Sequence, residues 1–576
     1  MTDPNTRRDH PIIACASLAA LTVGCLVPFL DKAFHIDDTL FLWTAEQILR
    51  EPVDFFGFEV HWELAFRPMS AINKNPPLVS YYIAAVAAIV GWSERALHAA
   101  FLIPAVALVL GTYTLARGMT SRPYVAALIT LFSPGFFVSA SSVMSDIPMV
   151  ALSVWAAVFW VTGLERDDHG RLCVAGILIG LATLTKYFGI TMVPLLLVYT
   201  VARLGSAVSR AVYLAIPVLM LLGYERLTVE LYRTGLFSDA ASHAVTSGPM
   251  AGSAFLEKAL TGLSFIGGCV APAACFAPML LSRPGWIAGL VASGLTAALL
   301  HAMASFGTLR LTGADGINFS GLAHSVVFVA VGAYLTALAA REPLTRKDPE
   351  SWLLCCWVLG TLLFASFVNW TTNARTVLPM IPAAGILLAR RLDWVLPATE
   401  PRFAWRTYLP LVPAALVALT VGWADYTLAD CQRSAVRRLQ THFTASDHGV
   451  WFEGHWGFQY YMQRVGFRPL DFRKTDLNPG DTVIIPTNNS YPVPLPFDAA
   501  RLTRTVRVRP LGWLSTMQAP LGAGFYSDDL GPLPYAFGTV GPEEYLVCTI
   551  TRPLAAGEVL ARIHRNSVSP RAPKNR

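Results

Sequence analysis

The sequence predicts an α-helical polytopic membrane protein, about thirteen transmembrane helices followed by a small C-terminal α/β domain. Three observations carry that reading. Of 576 residues, 54% are hydrophobic and only 14% charged, with a mean hydropathy of +0.47, whereas soluble domains carry roughly a quarter charged residues. Apolar runs of membrane-crossing length recur from residue 11 to residue 425. Beyond about residue 430 hydrophobicity drops, Pro and Gly rise, and short β-rich runs take over. The net charge of +6 is modest. Its basic residues gather in short connectors, which points to orientation in a membrane and away from nucleic-acid binding.

The first run, Pro11 to Leu30, spans a bilayer at about 1.5 Å per residue. It is too long for a signal-peptide core and lacks a small-residue cleavage site, so it reads as a retained helix. Arg7 and Arg8 before it place the N-terminus in the cytoplasm. Further runs follow at about 95–117, 122–140, 145–165, 172–184, 188–203, 211–230, 261–282, 285–305, 322–341, 351–369, 376–391 and 405–425. Arg117 with Arg122, the stretch ERDDHGR, Arg203 with Arg210, Arg283, the stretch REPLTRKDPE and Arg390 with Arg391 all fall on one side. The positive-inside rule makes that side cytoplasmic. Val79 to Gly91 is short for a span, and counting it would invert every later loop. It reads as a broken or re-entrant helix, tolerated where protein buries its backbone.

This arithmetic gives a membrane domain over 1–429, with 31–78 as its first outer loop, and a periplasmic α/β domain over 430–576. The latter offers VWFE, TVIIP, RTVRVRP and EYLVCTI as strands and GFQYYMQR as a helix. Its basic end, RAPKNR, is expected to be disordered. Nine cysteines show no metal-like spacing. Cys431 and Cys548 alone fall beyond the apolar runs, where an oxidising compartment would allow a disulfide. Two buried thiols fit the same pattern.

Polar residues collect on the predicted outer side. Asp37 and Asp38 follow the first span, with Arg67 and Lys74 later in that loop. Asp146 sits in VMSDIPM, Lys186 in TLTKYFG, Arg375 in TTNARTVLPMIP, and His243 in the 231–260 loop. Each alone fits a cap, a dipole partner or a snorkelling cation. Together they suit a phosphate-linked, lipid-borne substrate. Arg and Lys hold phosphate oxygens, and a carboxylate takes a proton from an attacking hydroxyl. Asp37, Asp38, Asp146 and His243 could approach a divalent ion, although no spacing such as HxxxH calls for one.

The order HIDDTLFLWTAEQI, NKNPPLVSYY, MSDIPM, GLATLTKYFGI and ARTVLPMIP resembles the GT-C superfamily of glycosyltransferases. It is most similar to the bacterial branch related to protein O-mannosyltransferases and the lipid A aminoarabinose transferase. GHWGFQYYM at 454–462 is similar to segments after the last span in that branch. The resemblance covers roughly residues 10–430 and implies GT-C architecture. It also implies sugar transfer from a polyprenyl-phosphate donor to an envelope glycan, lipid or protein acceptor, outside the cell inner membrane. Asp37 is then the catalytic base or acceptor-positioning carboxylate, and Asp146 the second acid. Lys74, Lys186 and Arg375 match positions that hold the donor phosphate, whereas the insertion bearing Trp62 and Arg67 has no counterpart. The family often has Asp-Glu where this chain has Asp37-Asp38, so either carboxylate can be the acting one. The competing reading is a transporter or lipid flippase, which would put charges near the midplane of repeated halves. Here they crowd one face, and no repeat is visible. A receptor or scaffold would not need thirteen spans.

Overall fold

The computed structural model describes residues 11–205, 208–246, 255–306, 311–313, 316–396, 405–443, 449–490 and 492–561. The Arg7-Arg8 pair and the RAPKNR segment lie outside them. Among the described residues, nine helices are long and apolar enough to cross a membrane, or up to eleven if each of two bent pairs is one span. The chain is a multi-pass membrane protein with a small strand-containing C-terminal part.

Local chemistry sets the helix limits. Side-chain oxygens of Ser93, Asp168 and Asp348 accept from Ala96 N, Arg171 N and Ser351 N at 3.2, 3.1 and 2.7 Å, satisfying donors that an open helix start leaves unpaired. The two bent pairs break where a proline opens the second piece. Pro123–Leu131 meets Pro134–Ala140 at 62°, and Phe255–Cys269 meets Pro272–Leu280 at 84°. Proline donates no hydrogen bond and disfavours a helical residue before it, so each run must stop and restart. The short run after the first loop forms the 13-residue helix Leu78–Val90, which ends at Gly91 with φ +84°.

Chain contacts divide the protein into two compact units. The first comprises Met1–Asp31, Lys74–Asp425 and Trp513–Thr539. Its helices approach closely where small residues face them. A Cβ on Gly267 would run into the Phe328 carbonyl, and one on Gly332 into the Leu263 carbonyl. The helices Phe255–Cys269 and Phe319–Arg346 therefore pack backbone to backbone, as small residues permit between membrane helices. Within the same unit, Thr516 Oγ1 and Tyr526 Oη donate to the buried Asp425 carboxylate at 2.8 and 2.9 Å.

The second unit comprises Lys32–Asn73, Tyr426–Gly512 and Val540–Arg576. Its five-stranded sheet runs in the order Arg468–Pro469, Val450–Phe452, Thr482–Pro486, Glu543–Ile550, Ala500–Val508. The first three strands are parallel and the last two antiparallel to their neighbours. Side chains alternate between two apolar clusters, as the period of two requires. Phe452, Ile484, Tyr545 and Val547 face one cluster with Phe458 and Cys431; Val483, Ile485, Cys548 and Ile550 face the other. The sheet thus separates Cys431 from Cys548, and both are free thiols.

A hairpin, Glu59–Trp62 with Ala65–Pro68, belongs to this second unit. Its turn residues Glu63 and Leu64 both have positive φ, at 49° and 73°, a geometry that ordinarily selects Asn-Gly. Neighbouring contacts compensate. Glu63 N donates to His455 Nε2 at 3.1 Å, and Leu64 O accepts from Phe472 N at 3.2 Å.

Candidate active site

Five of the sequence-derived residues, Lys74, Asp146, Lys186, His243 and Arg375, lie in the first unit, and contacts of these residues or of their immediate neighbours connect the elements that carry them. Asp146 opens the helix Asp146–Arg166 and is almost fully buried. Its position in the first turn suits the positive end of the helix dipole. Lys186 leaves the helix His169–Thr185 in an extended conformation. Its Nζ lies 2.6 Å from Asp146 Oδ1. Arg375 sits on the short helix Ala374–Val377, fixed by a reciprocal cap between Asn373 and Thr376. The guanidinium is 3.1 Å from Met144 Sδ and lies over the Tyr526 ring at 5.7 Å. Met144 is two residues before Asp146, so Arg375 and Lys186 border the same turn.

From Lys186 the chain of contacts continues. The ring of Tyr187 meets Phe237 edge-on at 5.4 Å. Phe237 belongs to the helix Leu236–Thr246, whose Asp239 pairs with Lys74. His243, one turn further on, packs edge-on against Trp370 at 6.1 Å. Both lysines are thus matched by carboxylates. An arriving anion would have to share or displace Asp146 and Asp239, a competition set by how far each pair is buried.

Asp37, Asp38 and Arg67 belong to the second unit. Ile36 has φ +49°, rare for a β-branched residue, and turns the chain into the helix Asp38–Arg50. Asp38 is fully buried, and its Oδ2 accepts from His35 N at 2.9 Å. That carboxylate closes the strained turn. Asp37, at the N-cap, is only partly buried. Arg67 pairs with Glu63 across the exposed hairpin.

Several charged residues escaped the sequence reading. Lys258 Nζ lies 2.6 Å from Asp528 Oδ2, and the other Asp528 oxygen accepts from Thr371 Oγ1 at 2.6 Å and Thr372 N at 3.1 Å. Asp425 and Asp239 complete the set. The one available signal was the acid pair in YSDD, far along the chain from the helices it serves. Among the described residues no group of three or more His, Cys, Asp or Glu side chains could hold a metal ion.

Residues 74–224 match the family described as dolichyl-phosphate-mannose-protein mannosyltransferase. The matched stretch contains Lys74, Asp146 and Lys186. No curated protein matches the chain. Among solved structures, it is similar to the Archaeoglobus fulgidus oligosaccharyltransferase tethered to an acceptor peptide, at 13% identity and a TM-score of 0.47. That alignment covers 81% of this chain and 64% of the other, so the chain spans a little under two thirds of that enzyme's length. It is also similar to ArnT from Cupriavidus metallidurans bound to undecaprenyl phosphate, at 14% identity and a TM-score of 0.43, covering 82% and 93% of the two chains. The arabinofuranosyltransferase AftD from Mycobacteria aligns at 13% identity and a TM-score of 0.43, over 96% and 40%.

Proposed function

We propose that the protein is an integral membrane glycosyltransferase that moves a sugar from a polyprenyl-phosphate donor to an envelope glycan, lipid or protein acceptor. The observation that carries this reading is the Lys186–Asp146 pair with Arg375 against Met144 two residues before that acid, Asp146 and Lys186 both falling in the matched mannosyltransferase segment together with Lys74. Asp37 takes the proton from the acceptor hydroxyl, whose oxygen attacks the anomeric carbon. The bond from that carbon to the phosphate oxygen breaks, and the phosphate leaves with the electron pair. The resemblance assigns Lys74, Lys186 and Arg375 to the donor phosphate, a role in which preorganised cations lower such barriers. Asp37 is preferred to Asp38 because it matches the first-loop acidic position that the resemblance implies, and Asp38 Oδ2 accepts from His35 N. Asp146 orients Lys186, whereas Arg67 takes part only through its hairpin.

The basic connectors favour a cytoplasmic N-terminus in the inner membrane, with residues 430–576 as a periplasmic domain and transfer on that outer face. Incubating the purified protein with a polyprenyl-phosphate sugar and a mixed envelope extract tests the reading. Release of polyprenyl phosphate that depends on acceptor supports it, and movement of intact donor across a vesicle without cleavage overturns it.

A further inference from the structure

The helix Trp456–Arg464 presents Gly457, Tyr460, Tyr461 and Arg464, spaced i, i+3, i+4 and i+7, along one face. All four meet the segment that carries Asp37. Phe34 N donates to Tyr461 Oη at 2.9 Å. A Cβ on Gly457 would run into the Phe34 carbonyl. The Tyr460 ring meets Phe34 edge-on at 5.4 Å and Trp43 at 6.4 Å. Arg464 pairs with Glu46 and lies over Tyr460 at 5.0 Å.

We propose that this helix face is the positioning element for the acid-bearing segment, with Tyr461 and Arg464 as its positioning residues. The inference rests on the assignment of Asp37 as the base. It follows from how the turn is held. The Phe34 and His35 amides, just before the positive-φ residue Ile36, are taken up by Tyr461 Oη and Asp38 Oδ2. With one amide held by Tyr461 from the neighbouring helix and the other by Asp38, the direction in which Asp37 leaves the backbone depends on that neighbouring helix as well as on its own. Arg464 and Glu46 fix the helix Asp38–Arg50 two turns further along. These contacts act on the Phe34 amide and on Glu46, the backbone and helix that flank Asp37, so the effect is on orientation.

Tyr461→Phe removes one hydroxyl and keeps the ring. In the full-length protein it should speed amide exchange at residues 34–40 and leave the strand Thr482–Pro486 protected. Turnover should fall about fivefold or more, as loss of one positioning hydrogen bond allows, with donor KM unchanged. Arg464→Glu should lower turnover likewise, and adding Glu46→Arg should restore it, which a general loss of folding would not permit. Unchanged exchange at 34–40, unchanged turnover, or a charge swap without rescue overturns the proposal. Wild-type protein that shows no sugar transfer overturns the functional reading instead, and the exchange experiment then decides the positioning contact alone.

Discussion

Lys186 and Asp146 form an ion pair of unequal burial: the carboxylate is 2% exposed and the lysine side chain 22%. Removing the cation strands a buried charge, whereas removing the acid leaves a lysine that can reach solvent. Breaking such a pair from the exposed side costs about 3–5 kcal/mol. Lys186→Met should therefore lower the thermal midpoint more than Asp146→Asn does. The double variant Lys186→Met/Asp146→Asn should recover much of that stability without recovering donor affinity. Unfolding scans in detergent, paired with donor KM, separate the structural part of the pair from its part in phosphate binding.

Asp37 and Asp38 should respond differently to the same change. Asp37→Asn removes the proposed base and should cut turnover about 10²–10⁴-fold, with expression and insertion unchanged. Asp38→Asn keeps an oxygen that can accept from His35 N and should retain most activity. Asp38→Ala opens the turn and should not. A dead Asp38→Asn enzyme beside an active Asp37→Asn enzyme would exchange the two roles.

The helices were legible because span length and proline position are local properties. All thirteen apolar runs are helical over most of their length, and the strand TVIIP ends where the sequence suggests. Legibility stopped where long-range pairing decides. Lys74 is visible in NKNPPL, but its partner Asp239 lies 165 residues away and carries no motif. Tyr526 and Asp528 sit in a Gly- and Pro-rich stretch that reads as a connector, yet Phe525 O accepts from Ala374 N at 2.9 Å beside Arg375. The two open readings of Cys431 and Cys548 needed the sheet. Alternation along Glu543–Ile550 puts Cys548 on the face away from Cys431, which composition does not reveal. Mass mapping without reductant should find both thiols alkylatable.

The Gly267 and Gly332 contacts predict a size threshold in the first unit. Each glycine faces a carbonyl of the opposing helix closely enough that even a methyl group must push the backbones apart. Overpacking of this kind costs about 1–3 kcal/mol, occasionally more. Gly332→Ala should lower the thermal midpoint and Gly332→Val should lower it further. Gly289→Ala, on a glycine with open space around it, should be neutral or stabilising. An equal response at Gly289 and Gly332 would show that close approach is not the cause.

Buried titratable groups give the second unit a pH optimum below neutrality. Burial pushes Glu453 from an ordinary value near 4.5 up to about 8, only partly offset by the Val493 N–H it accepts. Burial likewise pushes Glu543 up to about 7, against the amide of Asn488. A raised value means that the folded protein holds a proton the unfolded chain has released. The stability from these carboxyls is fully present below about 4.5 and is lost as pH rises through 7 to 8. His455 acts in the opposite sense. Burial first, and the neighbouring His61 second, depress it to about 3. Its contribution is present above about 6.5 and is lost as pH falls toward 3. Between about 6.5 and 8 only the carboxyl terms act, and each pH unit of a one-proton difference is worth ~1.4 kcal/mol. Opening of the strands Val450–Phe452, Thr482–Pro486 and Glu543–Ile550, followed by amide exchange in the full-length protein and corrected for intrinsic rates, should become easier from pH 6.5 to pH 8. Glu453→Gln should flatten that limb and leave the part of the acid limb below about pH 4.5 untouched, because it removes the ionisation without removing the acceptor for Val493 N. An unchanged alkaline limb in Glu453→Gln would show that the buried carboxyl does not set it.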